Sequence, residues 1–281
     1  MRLGYLGPEG TFSEEAVRTA PDAAAATLVA LPTVYATVMA VHDGDVERAV
    51  VPIENALEGP IGVTLDTLAD DGTDVAVVGE VIVAVSPCLI VREGTTLEQI
   101  ERVVSHPQPL SQCARFLRER LPHAAVATAD STAAAVRIVA AEERPWAALG
   151  TRRAAELYGA HVLAEAVEDE AGNATRFVWL AREAAPLDPA VASKTSLAFW
   201  GAGDASPGWL VRCLSEFAFR GVNLTKIESR PLRARLGHYR FFVDCEGSPA
   251  AEPVAAAVDG LRKHCEQVKI LGSYPSARAA D

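Results

Sequence analysis

The stretch Gly172-Asn173-Ala174-Thr175-Arg176-Phe177-Val178-Trp179-Leu180 sets an amide, a hydroxyl and a guanidinium at the mouth of an apolar, β-favouring run. Side chains alternate between faces along an extended strand. Asn173, Thr175 and Phe177 therefore share one side and Arg176 points to the other. That shared face could hydrogen-bond a small polar substrate against an aromatic wall; a solvated turn with Arg176 at the surface would read the same way. Four further stretches put small polar groups where a strand gives way to a helix. Gly7-Pro8-Glu9-Gly10-Thr11-Phe12-Ser13 is a glycine turn into a helix, suited to a carboxylate or phosphate and equally to an ordinary cap. Glu54-Asn55 stands at the tip of a strand in VPIENALEGP. Ser105-His106-Pro107-Gln108-Pro109-Leu110-Ser111-Gln112-Cys113 and Asp130-Ser131-Thr132 repeat the arrangement. His106 has no partner at ligand spacing, so it reads as a structural, hydrogen-bonded histidine, and neither metal nor cofactor is expected. Cys113 reads as a small core residue. Together these stretches supply several helix N-termini facing one edge, where open α/β sheets bind ligands.

The elements that must position these groups alternate along the chain. Strands are expected over 3–6, 28–31, 49–53, 75–78, 103–104, 125–128 and 147–149. Helices are expected over 13–20, 33–41, 61–69, 109–120, 131–141 and 152–158. Such alternation argues for an α/β body with mainly parallel sheets. The β-rich run 75–91 looks like a crossover between two lobes, with GNATRFVWL as the return. The stretch 183–193, with two prolines and no clear period, reads as a linker or a short helix. Beyond it, strand, helix, strand, strand, helix, strand (194–200, 208–220, 224–230, 239–245, 254–265, 268–272) is the split-βαβ, ferredoxin-like order of a small α+β module. The expected division is 1–182 as body, with one lobe near 1–76 and 168–182 and the other near 77–167. A linker over 183–193, a module over 194–273 and a tail over 274–281 complete it.

Composition bounds the function. A chain of 281 residues suggests two domains, and 49% apolar residues suffice for sizeable cores. The net charge of −11 argues against a nucleic-acid partner, while leaving room for a small anion in a locally cationic pocket. The five dispersed cysteines, with no CxxC pair, read as reduced thiols. No apolar run at the N-terminus or elsewhere marks a secretory signal or membrane span, so a cytoplasmic protein without a membrane partner is expected.

The ordered set GPEGTFSEEA, VPIENALEGPIG, SHPQPLSQC, STAAAV, AALGTRRAAELYG and EDEAGNATRF resembles prephenate dehydratase. NLTKIESRP at Asn223–Pro231 then resembles the ACT regulatory domain attached to that enzyme. The resemblance implies a two-lobed body similar to periplasmic binding proteins. It also implies conversion of prephenate to phenylpyruvate, water and carbon dioxide, with phenylalanine inhibiting through paired ACT domains of a homodimer or homotetramer. With the catalytic body starting at residue 1, the monofunctional form is expected. The family's essential threonine falls on Thr175, followed by Arg176 and Phe177. Thr11, Phe12, Ser13, Asn55, His106, Gln108, Gln112, Ser131, Thr132 and Asn173 are the expected substrate contacts. Gly208, Trp209, Leu210, Val211, Asn223, Leu224, Glu228, Ser229, Arg230 and Pro231 match the effector motifs.

Prephenate carries two carboxylates and a ring hydroxyl that must depart. Helix N-termini at 11–13 and 131–132 suit the anions, and Thr175 suits the leaving oxygen. A threonine is too weak an acid to deliver a proton unaided, so it orients and stabilises, or another donor stands behind it. Arg176 either reaches round the strand edge or supports from behind. The chain departs from the family at Trp209, where a small residue is usual, and the indole either crowds the effector pocket or turns outward. It departs again at Ala56 and Pro60 beside Asn55. Competing readings are an arogenate dehydratase, a prephenate decarboxylase and a non-catalytic amino-acid sensor. The Thr175-Arg176-Phe177 triplet argues against the last two.

Overall fold

The computed structural model describes residues 1–70, 74–183, 193–201, 203, 206–232 and 236–277. The first lobe is built on β1 (Arg2–Leu6), β2 (Thr27–Leu31), β3 (Arg48–Asn55), the short β4 (Gly59–Pro60) and β5 (Ala76–Ala84). Helices α1 (Phe12–Arg18), α2 (Val34–His42) and α3 (Gly62–Ala69) connect them. The second lobe holds β6 (Cys88–Val91), β7 (Arg102–Ser105), β8 (Ala125–Thr128), β9 (Trp146–Gly150) and β10 (His161–Ala164). Its helices are α4 (Pro107–Gln112), α5 (Ala114–Arg120), α6 (Thr132–Ala141) and α7 (Arg152–Tyr158). Strand β11 (Ala174–Ala181) returns to the first sheet, whose order is β2-β1-β3-β11-β5; the second sheet runs β10-β6-β9-β7-β8.

Both sheets are mixed, which corrects the expectation of mainly parallel ones. β1 pairs in parallel with β2 and β3, but β11 is antiparallel to both β3 and β5. The cause is the double crossing. A chain that leaves a sheet on one strand and comes back on its neighbour must run out and back, and β6 with β10 repeats this in the second lobe. The long run 75–91 is also two strands. β5 stays wholly in the first sheet and Pro87, which lacks a ladder donor, falls in the gap before β6, so the crossing lies at 85–87 and not at 77.

The helix expected over 109–120 is likewise two. Pro107 opens α4, a favoured first position, and the helix stops at Cys113. There the N–H groups of Arg115 and Phe116 turn to the Asp169 carboxylate, at 2.7 and 3.0 Å, which caps a fresh start from outside the segment. Cys113 is fully buried, and burial pushes its thiol up to about 12, leaving an inert core residue.

The third sheet has order β13-β14-β12-β15, from β12 (Ser193–Trp200), β13 (Leu224–Pro231), β14 (Tyr239–Glu246) and β15 (Gln267–Pro275). All its pairings are antiparallel, and α8 (Trp209–Ala218) and α9 (Glu252–Arg262) pack against one face. The chain order is the βαββαβ expected. β15 runs on to Pro275, two residues past the expected end of the module. Most of the expected linker, at 184–192, and the end of the tail, at 278–281, lie outside the described residues.

The other face of this sheet lies on the first lobe. Trp200, Phe242, Leu271 and Tyr274 share one apolar cluster with Leu68, Val77 and Val178. The approach is close enough to require glycine, since a Cβ on Gly272 would stand 2.0 Å from the Val77 carbonyl oxygen.

Candidate active site

A cavity of about 660 Å³ opens between the first two sheets. Three helix starts face it. Thr11 caps α1, His106 caps α4 by accepting the Gln108 N–H on Nδ1 at 3.4 Å, and Ser131 caps α6 by accepting the Ala134 N–H at 3.0 Å. Each cap leaves free N–H groups and the positive end of a helix dipole toward the space between the lobes. Among the described residues that line it there is no lysine or arginine. Helix ends and neutral donors therefore have to serve as its anion-holding groups.

Thr175 and Phe177 project from β11 into the cavity, as strand alternation requires. Asn55, at the end of β3, pairs in register with Thr175. Its Oδ1 accepts the N–H groups of Leu57 and Glu58, at 3.0 and 3.1 Å, which fixes which end of the amide donates. Nδ2 then donates to Thr175 Oγ1 and to Asn173 Oδ1, both at 3.0 Å. Asn173 Nδ2 donates to Gln112 Oε1 at 3.3 Å, and Gln112 Nε2 donates to Glu58 Oε1 at 3.3 Å. Since the Glu58 N–H returns to Asn55, the hydrogen bonds close a directed ring that crosses the cleft at Gln112. Thr175, already accepting, is left with its own proton to donate.

Of the expected contacts, Thr11, Phe12, Ser13, Asn55, His106, Gln108, Gln112, Ser131 and Thr132 line the cavity. Asn173 is buried beneath them as a member of the ring. Glu58 was missed by sequence reasoning, although its position three residues after Asn55 in one turn was a usable signal. Asp130, quoted with its cap but not chosen, also lines the wall. Pro60 lines it too, while Ala56 sits exposed in the turn.

Arg176 does not enter the cavity. It points through the sheet to Glu80 and to the third sheet, where Asp244 and Tyr274 receive it. Its expected place among the groups that touch substrate is not what the geometry supports, because side chains alternate along β11 and Arg176 falls on the face opposite Thr175 and Phe177.

At the far end of the cleft the lobes touch. Thr151 Oγ1 donates to the Gly10 carbonyl at 2.7 Å, and Gly10, with φ +83°, lets Ala154 approach within a distance that a Cβ would contest. Glu14, 2% exposed, accepts the Gly10 N–H at 2.5 Å and Arg18 Nε at 2.7 Å, with Arg153 of α7 at 3.4 Å from the other lobe. Burial alone would raise its pKa, yet the Gly10 hydrogen bond and then Arg18 outweigh it and hold the carboxyl below its ordinary 4.5. A depressed carboxyl stabilises the fold above 4.5 and loses that contribution as the pH falls through the lower folded value. Glu14→Gln should therefore cost stability at neutral pH and flatten the acid side of the Tm–pH profile. Parallel profiles for variant and parent would contradict this.

The family model for prephenate dehydratase matches residues 3–185, which is more than half of the chain. The chain belongs to the prephenate dehydratase family. A prephenate dehydratase of Mycobacteroides abscessus is 41% identical over 285 residues, covering 99% of this chain and 91% of that protein. The structure of prephenate dehydratase from Arthrobacter aurescens in complex with L-Phe is 34% identical with a TM-score of 0.90, covering 100% of this chain and 94% of the other. A structure described as a novel type of quorum quenching acylase, GqqA, is 33% identical with a TM-score of 0.86, covering 99% of this chain and 98% of its own.

As in the prephenate dehydratases it matches, then, the chain joins a two-lobed α/β body of periplasmic-binding-protein-like fold to a third sheet that is an ACT-like domain. A second cavity, of about 270 Å³, lies on that domain and is lined by Gly208, Trp209, Leu210 and Val211 with Tyr239 and Phe241. The Trp209 indole turns inward, 4% exposed. Its Nε1 donates to the His264 carbonyl at 2.7 Å and its ring packs against Phe199 and Phe241 at 6.0 and 5.8 Å. It therefore forms the floor of the cavity, which is neither of the two placements weighed from sequence. Asn223, just before β13, and Leu224, Glu228, Ser229 and Arg230 along it do not line this cavity; Pro231, at the end of the strand, pairs with Tyr239 beside it. Arg230 instead clamps Asp66 of α3 through two hydrogen bonds, at 3.2 and 2.8 Å.

Proposed function

We propose that the interlobe cavity catalyses the decarboxylating dehydration of prephenate, with Thr175 donating a hydrogen bond to the departing hydroxyl. The observation that carries this is the fixed amide of Asn55: a threonine forced to accept on one side has its proton directed elsewhere. In the reaction the bond between ring carbon and carboxylate breaks and carbon dioxide leaves. Its electron pair enters the ring, and the ring C–O bond breaks to release the hydroxyl, which takes a proton to become water. Negative charge grows on that oxygen, where a preorganised donor acts most strongly. The N-termini of α1 and α6 hold the two carboxylates, and Phe177, 2% exposed, closes the cavity with an apolar wall.

At three polar residues of this cleft nothing favours the chemistry of the acylase relative. Thr175 is held by an amide and not by a base, Ser131 is engaged as a helix cap, and His106 Nδ1 is taken by a backbone N–H.

Residues 1–182 form the catalytic body in this reading and 194–275 the regulatory domain, its expected end at 273 carried on by β15 to Pro275, with 183–193 between them. Phenylalanine is the effector, held at the Gly208–Val211 cavity and completed by a second copy across the Glu228–Pro231 strand. Exposed Val211, Phe219, Ile227 and Tyr239 on the regulatory domain favour such pairing, as a homodimer or homotetramer. A cytoplasmic enzyme acting on a small anion, without nucleic acid, fits the net charge of −11 and the free cysteines. The test is phenylpyruvate formation from prephenate at neutral pH, with and without phenylalanine, and with arogenate in parallel. Formation above the spontaneous background, suppressed by phenylalanine, supports both modules. No formation from prephenate overturns the reading.

A further inference from the structure

Behind the two residues that prepare the hydroxyl donor, on the opposite face of the same strands, lies an ionic cluster shared with the regulatory domain, buried at Glu80 and Asp244 and partly open at Glu54. Arg176, next to Thr175, donates through Nε to Glu80 at 2.7 Å, through Nη1 to Asp244 at 2.5 Å and through Nη2 to the Tyr274 hydroxyl at 2.8 Å. Glu54, next to Asn55, receives Lys226 at 3.0 Å. Lys194 grips both oxygens of Glu80, at 2.9 and 3.1 Å. Arg176, Lys194 and Lys226 thus face Glu54, Glu80 and Asp244, a balanced set that a water-poor interface demands.

The cluster has a direction. Ser196 Oγ donates its one proton to Asp244 Oδ1 at 2.5 Å, so its contact with Tyr274 at 2.6 Å must be a hydrogen bond donated by the phenol. Tyr274 then accepts from Arg176, and every lobe of the guanidinium fork is engaged. Burial, with Asp244 beside it, pushes the Tyr274 hydroxyl above the ordinary tyrosine range and keeps it a neutral donor. The anchored residue sits where the strand most needs one: between Arg176 and Phe177 the register with β3 shifts, so the ladder on that side is broken one residue from Thr175.

We propose that Asp244 and Tyr274, though in the regulatory domain, are positioning residues of the dehydration, holding Thr175 and Asn55 in reactive register through Arg176. The inference rests on the functional reading above and adds to it a direct demand of catalysis on the regulatory domain.

The experiment compares Asp244→Asn, Tyr274→Phe and their double variant with Val254→Ala, which hollows the regulatory domain's own core away from the cluster. kcat, KM for prephenate and Tm are measured on the full chain. A misplaced donor predicts a kcat loss of about 10-fold or more, with KM within about twofold. The two substitutions act on one anchor, so the double variant should be no worse than the poorer single one. Val254→Ala should lose thermal stability and keep kcat. Parental kcat in both cluster variants, or an equal loss of kcat in Val254→Ala, overturns the proposal. Should Asp244→Asn fail to fold, Tyr274→Phe decides, since it removes one oxygen and keeps the ring. A parent chain inactive on prephenate would instead overturn the functional reading.

Discussion

Thr175→Ala should lower kcat for prephenate by roughly 10²–10⁴-fold, the range for a lost, positioned donor at a site of developing charge. The fold should survive, because β11 is held by backbone ladders on both sides and by an apolar remainder, not by this hydroxyl. Thr175→Ser keeps the oxygen that Asn55 addresses and should be far milder. Its cost is the freedom of an unbranched side chain to leave the reactive rotamer. Phenylpyruvate formation by the alanine variant near the parental rate would remove Thr175 from the chemistry.

Asn55→Asp is the sharper test, since it changes charge and hydrogen-bond sense with almost no change of shape. One oxygen of the new carboxylate can still accept the N–H groups of Leu57 and Glu58. The other can no longer donate to Thr175 or Asn173, and Thr175 turns its proton to the carboxylate and away from substrate. A loss of about 10²-fold or more in kcat is expected at neutral pH, on the scale of a removed oxyanion donor. A raised KM should accompany it, from charge repulsion of a dianion. Protonating the carboxyl restores a donor, so activity of the variant should climb as the pH falls, a trend the parent does not share. Flat activity across the acid range, or parental kcat at neutral pH, would refute the directed ring.

Much of this site was legible because it rests on local rules. Period-two alternation alone puts Thr175 and Phe177 on one face and Arg176 on the other, and caps at Thr11 and Ser131 follow from their residue types. What escaped was set by tertiary structure. Nothing near Arg176 in the sequence announces Asp244 or Tyr274, because ion pairs carry no spacing signature across sheets. The break at Cys113 lies inside an acceptable helical pattern and exists because Asp169 caps the second piece from outside. Trp209 looked like an intruder in the effector pocket when only its size was visible. The acceptor that turns it inward, the His264 carbonyl, comes from the turn after α9. Pro87, by contrast, was a readable stop inside the run 75–91, outweighed by the β-rich residues around it.

The apolar cluster that joins Leu68 and Val77 to Trp200, Leu271 and Tyr274 ignores the limit of the catalytic family model at residue 185. Catalyst and sensor share one of their apolar cores, and so should share one unfolding equilibrium. Heat should melt the chain in a single calorimetric transition, with no shoulder belonging to either part. Any ligand held by the regulatory domain then protects the distant cleft simply by mass action, raising the whole chain's melting temperature as its concentration exceeds its Kd. An amino acid that slows this enzyme would also lengthen its life.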